Sequence, residues 1–77
     1  MVVTPLQAKV AIREAGLREQ VENIVANPET DPLIVDAWYE AREFRRMSPA
    51  IIALADRLGL TDEQTDALFE QAAGVTA

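Results

Sequence analysis

The chain has 77 residues, enough for one domain near the lower limit at which an independent core forms. It contains no cysteine and no histidine, which excludes disulfides, thiolate metal sites and the commonest general base, zinc ligand and near-neutral pH switch. Apolar residues make up 49% and charged residues 26%, a globular balance, and a net charge of −6 without a basic stripe argues against nucleic-acid binding.

Helix start signals punctuate the chain. Thr4 precedes Pro5 and is followed by Gln7, an N-cap, a proline at the first helical position and a capping box that together predict a helix over 5–15. Gly16 either ends that helix near Ala15 or lies inside a longer one at a cost of about 1 kcal/mol. A second helix is predicted over 17–26, with Leu17, Val21, Ile24 and Val25 on one face and Asn27-Pro28 closing it.

Asp31-Pro32 repeats the cap-then-proline signal and opens a central helix predicted over 32–46, with Ile34, Ala37, Trp38, Ala41 and Phe44 along one stripe. Ser48-Pro49 opens a helix over 49–58, which Gly59 ends as a left-handed residue with Leu60 folding back onto the preceding turn. Thr61 to Gln64 is a second capping box and starts a helix over 62–73, with acids in its first turn suited to the helix dipole. No segment alternates strictly enough to predict a strand. The chain reads as a single all-α domain, a compact bundle of four or five short helices around Trp38, Phe44, Leu54, Leu58, Leu68 and Phe69.

No apolar run approaches the roughly 20 residues that span a bilayer, and Met1 to Pro5 lacks the features of a signal peptide. A soluble, cytoplasmic protein is expected, with no membrane partner.

The charge is uneven. Residues 1–27 balance, residues 28–47 sum to −2, and residues 48–77 set Arg57 against Asp56, Asp62, Glu63, Asp66 and Glu70, for −4. Catalysis has little to work with. Ser48 is explained by capping, and without histidine the usual nucleophile and base pair cannot be assembled. The carboxylates Asp36, Glu40 and Glu43, or Asp62, Glu63 and Asp66, read as solvated faces and dipole complements, with no loop of calcium-ligand spacing among them. No catalytic residue, metal site or cofactor is expected, and the chain is read as a non-enzyme. Ala50 to Phe69 has the cadence of a helix–turn–helix, but its second helix would offer Asp62, Glu63, Asp66 and Glu70 to DNA phosphates and repel them.

Two candidate contact surfaces remain. Tyr39, Arg42, Arg45 and Arg46, placed at the end of the central helix, combine an exposed aromatic with arginines, the composition of an interface hot spot. A structural role, with arginines complementing the helix dipole or pairing with the acidic last helix, competes with that reading. The second surface is the acidic face of Asp62, Glu63, Asp66 and Glu70.

The chain also resembles a group of short tail-region proteins of tailed bacteriophages and prophages, encoded near tail-fibre genes. The resemblance runs over residues 12–73. It rests on Ala15-Gly16-Leu17, Val21, Trp38, Phe44-Arg45-Arg46, Ser48-Pro49, Ala55, Leu58-Gly59-Leu60-Thr61-Asp62 and Asp66-Ala67-Leu68-Phe69. The segment from Trp38 to Pro49 is its least generic part. It carries no functional residues over, and implies a viral setting in the host cytoplasm or the virion tail. The chain would there be a tail or fibre adaptor or an assembly chaperone, whose partner is another tail protein. An acidic inhibitor of a host nucleic-acid-binding protein and a self-associating helical module are the alternatives.

Overall fold

The structure, a computed structural model, describes residues 1–76. Five helices, α1 (Pro5–Glu14), α2 (Arg18–Ala26), α3 (Pro32–Glu40), α4 (Pro49–Leu58) and α5 (Asp62–Ala73), form a bundle with one small strand pair, β1 (Val2–Val3) and β2 (Phe44–Arg45). The fold is all-α, as expected.

The four expected caps form. The Thr4 hydroxyl accepts the Gln7 N–H while the Gln7 side chain accepts the Thr4 N–H, and Thr61 with Gln64 repeats this reciprocal pair. Asp31 accepts from the Leu33 N–H and Ser48 from the Ile51 N–H. Each satisfies an amide that the first helical turn leaves without a partner.

The stops at Gly16 and Gly59 have one design. Gly16 has φ +76° and Gly59 φ +72°, the left-handed region that other residues enter at a cost. At the first, the Leu17 N–H reaches back to the Ile12 carbonyl and the Gly16 N–H to that of Arg13. At the second, Leu60 bonds to Ala55 and Gly59 to Asp56. These paired bonds are Schellman motifs, which satisfy the last carbonyls of a helix. Gly16 therefore separates α1 from α2.

The central helix is shorter than its sequence predicts. The stripe through Phe44 predicts a helix over 32–46, but α3 stops at Glu40, and Ala41 is extended with φ −65° and ψ 137°. Residues beyond it turn and pair antiparallel with the N-terminal segment, Val2 opposite Arg45 and Val3 opposite Phe44. The Arg46 N–H continues the pairing to the Met1 carbonyl. Tertiary pairing overrides helical periodicity here: the extended segment places Phe44 against Trp38 and sends Arg46 toward α5, while the β-branched pair Val2-Val3 supplies a strand partner.

Val21 is fully enclosed, and Val3, Ala11, Ile34, Trp38 and Phe44 belong to the same core. Thr30 is buried with its hydroxyl donating to the Ile24 carbonyl at 2.6 Å, closing the end of α2. Leu58 and Leu68, expected in the core, are only half-buried. The reason lies in the helix arrangement. α5 packs chiefly on α1 and β1, whereas α4 packs chiefly on α3 and α2. The two last helices are joined by a tight turn but take different supports, so they pack little on each other. No helix among the described residues is long and apolar enough to cross a membrane.

Candidate functional site

The four residues of the first candidate surface do not form one helical face. Tyr39 lies in the last turn of α3 and is 64% exposed. Arg42 is exposed in the turn that follows and makes no ion pair among the described residues. Arg45 lies on the outer side of β2, where its Nε and Nη2 donate to Glu43 Oε1 at 2.8 and 2.6 Å.

Arg46 is different. It is only 8% exposed, and its Nε donates to Asp66 Oδ1 at 2.6 Å while Nη2 reaches the Asp62 carbonyl at 3.3 Å and its carboxylate at 3.5 Å. The sequence spacing suggests a Glu43–Arg46 pair on one helix; with that helix ended, Glu43 turns to Arg45 instead. Alternation along the strand explains the division. Val2 and Arg45 face outward, while Val3 and Phe44 face the core. Arg46 follows on the inner side and needs a carboxylate there, because an unpaired buried guanidinium would be costly.

The acidic face is divided in the same way. Asp66 is drawn into the contact with Arg46, and Asp62 lies at its margin with a fully exposed carboxylate. Glu63 and Glu70 point to solvent without an ion pair among the described residues. The uncompensated charge of α5 therefore lies on Glu63, Glu70 and Asp62.

The strand pair also gathers exposed apolar side chains. Met1 is 56% exposed, Val2 53% and Met47 72%, and the register brings all three beside Arg45 and Arg46. Two valines near the start and a methionine after the arginines are far apart in sequence, and only the strand pairing connects them.

Trp38 is a structural centre. Its ring lies 6.1 Å from that of Phe44, tilted by 30°, with Lys9 Nζ at 4.9 Å and the Arg18 guanidinium carbon at 5.7 Å from the indole. Arg18 also pairs with Glu22 at 2.8 Å, one turn along α2. Two of the basic residues of the N-terminal half thus cover a buried aromatic, an arrangement favoured by the ring's negative face.

A feature not legible in the sequence lies among α1, α4 and α5. A cavity of about 60 Å³ opens there, lined by Trp38 and Phe44 together with Ala11, Leu54, Phe69 and Ala72. Ile12, Leu58, Leu60 and Leu68 line it too and are half-buried, so the cavity reaches the surface along them. Small side chains at facing positions, Ala8 and Ala11 on α1, Ala55 on α4 and Ala72 on α5, leave the space unfilled. The less generic residues of the phage resemblance, by contrast, do folding work: Trp38 and Phe44 stack, Arg46 ties β2 to α5, and Ser48 caps α4. Comparison with protein-family models, with curated proteins and with solved structures finds no match to this chain.

Proposed function

We propose that this chain is a non-enzymatic accessory protein of a tailed phage or prophage, a tail or tail-fibre adaptor or assembly chaperone that works by protein–protein binding. The observation that carries the binding role is the exposure of Met1, Val2 and Met47 at the strand pair that bears Arg45. Exposed apolar side chains beside an arginine suit contact with a protein surface, the two methionines above all because their unbranched chains adapt to different partners. Tyr39 and Arg42, exposed just before the strand, are candidates to extend it. The viral setting rests on the resemblance described above. It places the chain in the host cytoplasm and, if retained after assembly, in the virion tail.

The test is co-expression with tail and fibre proteins of a phage that encodes such a chain, followed by capture. Replacing Arg45 with glutamate and Met47 with serine should abolish capture while helicity by circular dichroism stays unchanged. A folded double variant that captures as well as the parent sinks this surface. Arg46→Glu is unsuitable for the purpose, because it would set a carboxylate against Asp66 and Asp62 and disturb the fold.

The second reading, an acidic inhibitor of a host nucleic-acid-binding protein, is favoured by the solvent-facing Glu63, Glu70 and Asp62. Binding of that kind falls steeply with salt. Salt-resistant capture of a fibre protein distinguishes the adaptor. A self-associating module would show instead as a concentration-dependent mass in sedimentation.

A further inference from the structure

We propose that Met47 is a site of oxidation by peroxide, and that its sulfoxide is held by Arg46. The site is independent of the binding role proposed above.

The enclosed guanidinium has a donor to spare. An arginine presents its N–H donors on a rigid plane, and burial makes each one seek an acceptor. In Arg46, which is only 8% exposed, Nε donates to Asp66 Oδ1 at 2.6 Å and Nη2 reaches the Asp62 carbonyl at 3.3 Å. That edge of the plane faces α5. Nη1, on the other edge, finds among the described residues only the thioether of Met47, with Sδ at 3.9 Å. A tight turn brings the two side chains together, closed by the Ser48 N–H donating to the Arg45 carbonyl at 3.1 Å. A thioether is a weak acceptor, so this charged donor is poorly served.

Oxidation would serve it better. Met47 is 72% exposed, more than any other large apolar side chain among the described residues, and is open to a small oxidant. The sulfur lone pair attacks a peroxide oxygen. An S–O bond forms as the O–O bond breaks, and the departing oxygen takes up a proton, leaving as water when the oxidant is hydrogen peroxide. Sulfur loses two electrons and the peroxide gains them, giving methionine sulfoxide. When the new oxygen points toward Nη1, it stands one bond closer than the sulfur, within the about 2.7–3.2 Å of an N–H···O bond. A hydrogen bond from an ionised donor is roughly twice as strong as one between neutral groups. The sulfoxide carries no net charge, so Asp62 and Asp66 do not repel it as they would a carboxylate. Met1 is also exposed, at 56%, but its sulfur accepts no hydrogen bond among the described residues.

The full chain is treated with dilute hydrogen peroxide, the sulfoxide is located by mass spectrometry of its peptides, and thermal unfolding is followed by circular dichroism. Met47 should gain one oxygen, and the melting midpoint should rise by about 4 °C, the shift that a modest net hydrogen bond gives a domain of this size. Met47→Leu, treated alike, should keep its midpoint, which removes Met1 and Trp38 as sources of the change. Arg46→Lys keeps a charge for Asp66 but lacks Nη1, and should oxidise at Met47 without the rise. Should that variant fail to fold, nitrogen NMR of the parent reads the contact directly, as a shift of the Arg46 Nη1 resonance on oxidation. Methionine sulfoxide reductases acting on both epimers should return the midpoint to its starting value. The proposal is overturned if Met47 stays unoxidised at a dose that converts a free methionyl peptide. It is overturned as well if the sulfoxide leaves the midpoint unchanged or lowers it, if the rise persists in Arg46→Lys, or if the Nη1 resonance does not move. Capture is read separately, and it tests the strand-pair surface. The sulfoxide puts a polar tip where that surface offers an apolar one, so the oxidised chain should capture a fibre protein at least about tenfold more weakly. Undiminished capture would sink the strand-pair surface and leave the oxidation site standing.

Discussion

The two flanks of α5 are held in opposite ways. On one flank, Arg46 grips Asp66 and reaches Asp62, and β1 packs beside them. On the other, it borders an apolar hollow of about 60 Å³ that α4 also lines. The clasped flank combines a directional contact with an enclosed arginine, whereas the open flank has only apolar side chains, with the alanines Ala55 and Ala72 among them. The difference teaches that a helix of this size is positioned by where its strongest partners lie. Once α5 is fixed to β2 and α1, the space beside α4 is left over.

Substitutions test that contrast. The largest effect is expected at Trp38, which supports both flanks because it stacks on Phe44 and lines the hollow. Trp38→Ala should cost about 3–5 kcal/mol, comparable to the whole stability of a domain this small. Circular dichroism in urea would show a largely unfolded chain, and a cooperative transition near that of the parent would remove Trp38 from its central place.

The clasp comes next. Arg46→Ala should lose about 2 kcal/mol, less than a fully buried ion pair because the Asp66 side chain is about half exposed. A double-mutant cycle with Asp66→Asn measures the coupling directly. Additive losses would mean that the ion pair contributes nothing and that the two flanks differ only in packing.

The open flank should respond with the opposite sign. Ala55→Leu is expected to raise stability by up to about 1 kcal/mol, since filling a void recovers lost contacts at roughly 24 cal/mol per Å³. A fall of similar size in urea unfolding would show that the walls cannot admit three more carbons. At the turn that joins α4 to α5, Gly59→Ala should cost about 1 kcal/mol from its positive φ alone, because an added Cβ meets nothing within 4 Å.

The smallest effect is expected for Arg45→Ala. Its pair with Glu43 is exposed on both sides, so the change in stability should stay within about 0.5 kcal/mol. That near-neutrality makes Arg45 a clean probe of binding, whereas Arg46 is not.

Sequence reading reached the helices through their ends. Thr4, Asp31, Ser48 and Thr61 announce starts because a cap acts on amides within three residues of it, and Gly59 announces a stop because a left-handed residue is a local requirement. Gly16 is ambiguous in sequence, since a glycine is tolerated inside a helix at modest cost, and the bond from Leu17 back to Ile12 settles it. Of the candidate surfaces, Tyr39, Arg42 and Arg45 prove exposed, while Arg46 is enclosed. The arginines looked equivalent because helical periodicity could continue through Phe44, and nothing local opposed it.

Composition and capping thus determined an all-α domain of short helices, since both depend on interactions within a turn or two of chain. Tertiary structure alone decided that α3 stops at Glu40, because that needs Val2 and Val3 as strand partners some 40 residues away. It decided that Arg46 closes on Asp66, 20 residues ahead, instead of facing a partner. It decided as well that alanines on α1, α4 and α5 meet across an unfilled space. Small side chains permit close packing and voids alike, and the arrangement of the helices selects between them.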